Sequence, residues 1–119
     1  MSDVTILHNP ACGTSRATLA LIRDAGIEPV VVEYLKTPLT ADALRDMARA
    51  MDMPPRALLR AKEPVYAELG LGDPTWTDEQ LLGFMAAHPI LMNRPVVATP
   101  LGTRLCRPAE QVAEILPKG

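Results

Sequence analysis

The chain has 119 residues, 48% of them hydrophobic, which is enough to bury one ordinary core, so we expect a single domain over residues 1–119. A formal net charge of −2 gives no general attraction for nucleic acid or for an anionic membrane surface, and neither is expected as a partner. Two cysteines are too few for a disulfide scaffold. With neither a basic leader nor a long apolar span, the chain is expected in the cytoplasm, where thiols stay reduced.

The start of the chain predicts a strand, a helix and a second strand. Residues 4–7 and 29–34 are short runs rich in apolar and β-branched side chains, which are typical of buried strands. Thr14 or Ser15 can cap a helix between them, and Gly26 can end it. Strands joined in this way are parallel, and the loop after the first strand lies at the carboxyl edge of the sheet.

The middle of the chain, residues 40–88, has a helical pattern. Residues 40–52 place apolar side chains three and four positions apart, with charged side chains on the opposite face. Further short helices are expected at residues 56–59, 64–69 and 77–87. The last of these begins with Thr77-x-x-Gln80, the spacing of a capping box.

The last third of the chain returns to a strand pattern and ends in a helix. Residues 95–99 and 103–107 predict two strands joined by a Pro-Leu-Gly turn, and Pro108 begins a final helix. Pro95 is expected to follow a cis peptide bond. The order βαβ, helices, ββα resembles a thioredoxin-like (glutaredoxin-like) α/β fold with a helical insertion at about residues 40–88 between its two halves.

Cys12 follows the first predicted strand and immediately precedes the first predicted helix. Free backbone N–H groups and the positive end of the helix dipole favour a thiolate there, so Cys12 is the candidate nucleophile. His8 can support the thiolate by charge or as an N–H donor, or it can simply close the loop with a hydrogen bond. Ser15 stands where a Cys-x-x-Cys motif has its second cysteine, so any disulfide of Cys12 must form with another molecule or with a distant cysteine.

Cys106 lies in a predicted strand, and we expect it to be a small buried core residue without a redox role. Neither cysteine has a second ligand at the spacing of a metal site, and His88 is expected to act at a helix end. We therefore expect no metal and no tightly bound cofactor.

Three arginines stand at the ends of predicted elements: Arg60, Arg94 and Arg107. The last two flank the predicted hairpin and reach the Cys12 loop if the hairpin lies beside the first strand. Guanidinium groups beside a helix N-terminus bind a tetrahedral oxyanion through fixed charge and paired hydrogen bonds. Each arginine taken singly can equally be a solvated surface residue.

Five sequence blocks, spread over nearly the whole chain, resemble those of a known family and occur in its order. The blocks are His8-Asn9-Pro10-x-Cys12-Gly13-Thr14-Ser15-Arg16, Arg56-Ala57-Leu58-Leu59-Arg60, His88-Pro89-Ile90-Leu91, Asn93-Arg94-Pro95 and Thr99-Pro100-Leu101-Gly102-Thr103-Arg104-Leu105-Cys106-Arg107-Pro108. Together they resemble the ArsC family, the glutaredoxin-dependent arsenate reductases. The resemblance implies a thioredoxin-like fold, with Cys12 as nucleophile and with His8 and Ser15 tuning its thiolate. The oxyanion-binding residues that it implies are Arg60, Arg94 and Arg107.

The reaction implied by the resemblance reduces arsenate to arsenite and serves arsenic detoxification. Cys12 attacks arsenate, glutathione joins as co-substrate, and glutaredoxin reduces the resulting Cys12–glutathione mixed disulfide. Two alternatives are a glutathione-dependent thiol reductase, which would use the arginines for glutathione carboxylates, and a regulator of the Spx type that binds RNA polymerase. Regulators of that type commonly carry a Cys-x-x-Cys switch, which Ser15 excludes here.

Overall fold

A four-stranded sheet organises one of the two structural units of the chain. The computed structural model describes residues 3–117. The sheet unit runs up to Thr37 and resumes at Arg94, whereas the helical unit is Pro38–Asn93. The sheet unit contains the Cys12 loop and is described first.

The strands of the sheet unit are β1 (Thr5–His8), β2 (Val30–Glu33), β3 (Val96–Thr99) and β4 (Gly102–Leu105). Their order across the sheet is β2-β1-β3-β4, with β1 parallel to β2 and the other neighbours antiparallel. Because β3 pairs directly with β1, the start of β3 and the end of β4 lie at the same edge of the sheet as the loop that follows β1.

The sheet unit also contains helix α1 (Gly13–Asp24), which packs against a 3₁₀ helix (Ala109–Glu114). Gly26 follows the C-cap of α1 with φ +83°, as its predicted role requires. The α-helix expected after Pro108 is wrong in type, because the backbone N–H groups bond to carbonyls three residues back, as in Gln111 to Pro108 and Ile115 to Val112, both at 3.1 Å. The core of this unit is formed by Val4, Ile6, Ile22, Val97, Cys106, Val112 and Ile115.

The helical unit is built from short helices. They are α2 (Ala41–Ala50), α3 (Pro55–Leu58), α4 (Pro64–Glu68), α5 (Asp78–Ala87) and a 3₁₀ helix (Pro89–Leu91) that the sequence pattern did not predict. Thr40 caps α2 through its hydroxyl, and the predicted capping box of Thr77 and Gln80 opens α5. Arg45 on α2 pairs with Glu79 on α5, which ties these two helices together.

The order of elements agrees with the prediction, although several boundaries differ by one or two residues. The peptide bond before Pro95 is cis, as predicted, and so is the bond before Pro108, for which no prediction was made. Within residues 3–117, no helix combines the length and the apolar character needed to cross a bilayer.

Candidate active site

The loop after β1 is shaped by Asn9, a residue for which no role was predicted. Its carbonyl accepts a hydrogen bond from the N–H of Cys12 at 3.0 Å, and its Oδ1 accepts one from the N–H of Ala11 at 3.0 Å. Asn9 is buried. An Asn-Pro pair is a turn signal in sequence, and that signal could have identified Asn9 as the residue that positions the cysteine.

Cys12 itself is the N-cap residue of α1, which corrects the predicted cap at Thr14 or Ser15. Its backbone is extended, with φ −92° and ψ 121°, and its carbonyl accepts the first helical hydrogen bond, from the N–H of Arg16 at 3.0 Å. The prediction was wrong because hydroxyl side chains are the usual caps, whereas the hydroxyl of Ser15 is used elsewhere. The sulfur therefore lies at the end of α1 where backbone N–H groups are free.

Ser15 connects α1 to β1 through a buried hydrogen-bond network. Its Oγ lies 2.6 Å from Nδ1 of His8 and accepts a hydrogen bond from the backbone N–H of Asn9 at 3.1 Å. Burial lowers the pKa of His8 despite the nearby carboxylate of Glu33, so the neutral imidazole is favoured at neutral pH. Of the two roles expected for His8, this arrangement favours hydrogen bonding within the loop over direct support of the thiolate by charge.

Arg94 and Arg107 both act on the sulfur of Cys12. Arg94 precedes β3 and Arg107 follows β4, and the pairing of these strands brings both positions to the Cys12 edge of the sheet. Nη1 of Arg107 lies 3.9 Å from Sγ of Cys12 and donates to the carbonyl of Arg94 at 2.8 Å. Arg94 is buried, and its guanidinium, like that of Arg107, lowers the pKa of the Cys12 thiol.

The surroundings of Cys12 lower the pKa of its thiol. Partial burial raises this pKa, but the backbone N–H of Ser15 and the guanidinium groups of Arg107 and Arg94 outweigh it, and the N–H of Thr14 adds to their effect. These groups lower the pKa because they stabilise the charged thiolate more than the neutral thiol.

Arg60, the third arginine of the predicted set, belongs to the helical unit. Its Nε lies 3.2 Å from Oε1 of Glu63, and its backbone N–H donates to the carbonyl of Leu91 at 2.7 Å. The Arg60 side chain is 23% exposed. A role for Arg60 in binding an oxyanion stays a prediction.

The second cysteine has the opposite environment to the first. Cys106 is fully buried in the core of the sheet unit, and burial raises its pKa to about 11, which agrees with the expected structural role. His88 is the C-cap residue of α5 and so lies at a helix end, as expected. Among residues 3–117, no group of three or more His, Cys, Asp or Glu side chains is placed to hold a metal ion.

The site therefore combines a thiol of lowered pKa with fixed positive charge. Cys12 is partly exposed, so its sulfur is accessible to a small molecule. A thiolate beside two guanidinium groups can attack a centre whose oxygens carry negative charge, because the guanidinium groups neutralise those oxygens during the attack.

Comparisons with known proteins agree with this description over nearly the whole chain. A model of the ArsC family matches residues 7–115, a range that includes every candidate site residue. The arsenate reductase of Yersinia enterocolitica is 58% identical over 118 residues, which are 99% of this chain and 84% of that protein. The arsenate reductase of Rhizobium meliloti is 61% identical over 114 residues, covering 96% of this chain and 81% of that protein. The solved structure of arsenate reductase from Vibrio cholerae superposes with a TM-score of 0.93 at 43% identity, covering 97% of this chain and 98% of the other.

Proposed function

Because this chain belongs to the ArsC family and is an arsenate reductase, we propose that Cys12 is the nucleophile, glutathione the co-substrate and glutaredoxin the partner that regenerates the thiol. The observation that carries this proposal is the convergence of Arg94 and Arg107 on a sulfur whose pKa is lowered. A lowered pKa supplies the thiolate, and the two guanidinium groups supply charge complementary to arsenate.

In the first step the thiolate of Cys12 attacks the arsenic atom. A sulfur–arsenic bond forms and an arsenic–oxygen bond breaks, and the oxygen leaves as water after it is protonated. Arg94 and Arg107 hold the remaining oxygens and neutralise the charge that develops on them. Arg60 is proposed as a third oxyanion-binding residue from the family resemblance.

The reduction itself takes two electrons, which two thiols supply. The thiolate of glutathione attacks the sulfur of Cys12, so that a sulfur–sulfur bond forms and the electron pair of the sulfur–arsenic bond stays on arsenic. Arsenite leaves, and Cys12 remains as a mixed disulfide with glutathione. Glutaredoxin then takes over the glutathionyl group by thiol–disulfide exchange and releases the Cys12 thiol. External resolution is supported by Ser15 at the position of a local second cysteine and by the burial of Cys106.

His8 and Ser15 are proposed to tune the thiolate through position. Their hydrogen bond at 2.6 Å fixes Ser15 relative to β1, and the backbone N–H of Ser15 is one of the groups that lower the pKa of Cys12. This chemistry uses glutathione as a co-substrate and needs no tightly bound cofactor. We also propose a cytoplasmic location, since both the free thiol and the glutathione pool require a reducing compartment.

The test is arsenate-dependent oxidation of NADPH in an assay coupled through glutathione, glutaredoxin and glutathione reductase. Cys12→Ser should reduce the arsenate-dependent rate to background, whereas Cys106→Ala, which removes the buried thiol, should retain it. Full activity of Cys12→Ser would remove Cys12 from the mechanism. A wild-type rate that needs glutathione but not arsenate would instead favour the thiol reductase.

A further inference from the structure

The backbone of Arg60 is fixed by a short antiparallel bridge inside the helical unit. Leu59 and Met92 face each other in this bridge, and the N–H of Arg60 donates to the carbonyl of Leu91 at 2.7 Å directly beside it. Leu59, Leu91 and Met92 are all buried. The segment that carries Arg60 is therefore held in place, and the direction of its guanidinium is decided by what surrounds the side chain.

Glu63 pairs with Arg60 through charge, without an aligned hydrogen bond. Nε of Arg60 lies 3.2 Å from Oε1 of Glu63, and the two side chains are 23% and 18% exposed. The Nε atom is inaccessible to solvent, and among the residues that the structure describes its N–H has no hydrogen-bond partner. At this separation, the N–H is therefore not aligned with the carboxylate. A buried donor without an acceptor is costly, and an oxygen atom of a bound ligand would supply the missing acceptor.

The side chain of Glu63 is directed to Arg60 although another role is open to it. Glu63 is the N-cap residue of α4, yet its side chain makes no capping hydrogen bond to that helix. Its backbone N–H donates to the carbonyl of Arg60 at 3.2 Å, and the turn closed by this bond brings the two side chains together. Arg60 thus has a built-in carboxylate as its counter-ion.

We propose that Glu63 is a positioning residue that acts through Arg60 and sets the affinity of the site for an oxyanion. This inference rests on the proposed oxyanion-binding role of Arg60. The carboxylate of Glu63 balances a largely buried cation and keeps its guanidinium in place. An oxyanion that approaches Arg60 offers an oxygen to the unsatisfied Nε–H, but the nearby carboxylate repels it. The affinity for the oxyanion is therefore lower than the charge of Arg60 alone would give.

Inorganic phosphate tests this proposal without any reaction, because it matches arsenate in shape and charge and is not reduced by thiols. Glu63→Gln keeps an oxygen acceptor of the same size beside Arg60 but removes the negative charge. The dissociation constant for phosphate, measured by isothermal titration calorimetry on the full-length protein, should fall about fivefold. Glu63→Asp keeps the charge and should not show this fall. Glu68→Gln makes the same charge change at an exposed position of α4 and should leave the constant unchanged.

The same variants can be compared in the coupled assay of arsenate reduction. Glu63→Gln should lower the apparent KM for arsenate about fivefold and leave the apparent KM for glutathione unchanged. A purely structural role of Glu63 would not produce this split, because a loss of folded protein lowers the rate without raising the affinity for one substrate.

The outcomes separate the role of Glu63 from that of Arg60. An unchanged or weaker phosphate affinity in Glu63→Gln, or an equal gain in Glu68→Gln or Glu63→Asp, would overturn the inference. Arg60→Gln should weaken phosphate binding. If it does so while Glu63→Gln has no effect, Arg60 keeps its proposed role and only the inference about Glu63 fails. If Arg60→Gln binds phosphate as wild type does, the proposed role of Arg60 and the inference fail together.

Discussion

Replacing Arg107 by glutamine removes a positive charge whose Nη1 lies 3.9 Å from the sulfur of Cys12. Coulomb's law at that separation gives about 1 kcal/mol in a water-like dielectric and about 4 kcal/mol at an effective dielectric of about 20. Arg107 is exposed and Cys12 is partly exposed, so solvent screening favours the lower value. A loss of about 1 kcal/mol lowers the ratio of thiolate to thiol about fivefold at a pH well below the pKa.

The assay for this prediction is the rate of Cys12 alkylation by iodoacetamide as a function of pH, because the thiolate is the reacting species. Cys106 is fully buried and does not contribute in the folded protein. At a pH well below the pKa of both thiols, Arg107→Gln should react about fivefold more slowly than wild type, and it should approach the wild-type rate at alkaline pH, where both thiols are ionised.

Arg104→Gln provides the matched control for this measurement. Arg104 lies on β4 and pairs with Glu114 at 2.9 Å, so its loss makes the same change in net charge away from the sulfur. Its pH profile should coincide with that of wild type. The reasoning is refuted if Arg107→Gln also coincides with wild type, or if both variants shift by the same amount.

Three further predictions concern the buried groups around the site. Ser15→Ala leaves Nδ1 of His8 and the N–H of Asn9 without their shared partner. Urea denaturation should therefore show a loss of about 1–3 kcal/mol in the free energy of unfolding. The exposed control Thr37→Ala should lose less than about 0.5 kcal/mol. Equal losses in the two variants would contradict a structural role for the network. The imidazole of His8, followed by NMR, should titrate below the ordinary histidine pKa, because burial is the dominant influence on it; a midpoint at or above that value would show that Glu33 dominates instead. The pKa of Cys106 is raised to about 11, so its contribution to stability is present below the ordinary thiol pKa of about 8.5 and is lost as the pH rises through about 11. Between these limits the free energy of unfolding of wild type should fall more steeply than that of Cys106→Ala, by up to about 1.4 kcal/mol per pH unit, and parallel curves would contradict this linkage.

The fold could be predicted because most elements have a strong local pattern. The thioredoxin-like α/β class and the order of its strands and helices are confirmed, and the Vibrio cholerae structure superposes over nearly the whole chain. The capping box at Thr77 carries its own signal and was located at the correct residue. The 3₁₀ helices were not distinguished from α-helix or coil, because a turn of three to six residues has no resolvable periodicity.

The site could be predicted only as far as its residues have local signals. Cys12 was proposed as a site residue from its place between a strand and a helix. Its role as the N-cap was missed because the hydrogen bond that engages Ser15 comes from β1. Arg94 and Arg107 were expected near the Cys12 loop only if the hairpin lies beside the first strand. In the structure β3 does pair with β1, and Arg107 lies near the sulfur. Sequence spacing contains no information on such a distance between strands.

The measurement that tests the central claim most directly is the arsenate dependence of the Cys12–glutathione adduct, read by mass spectrometry of the intact protein and its peptides. Incubation with arsenate and glutathione, without glutaredoxin, should add one glutathionyl group to the peptide that contains Cys12, and replacing arsenate by phosphate should abolish this adduct, because phosphorus is not reduced by thiols. An adduct that forms equally without arsenate, or that appears on Cys106, would contradict the assignment of Cys12 as the residue that reduces arsenate.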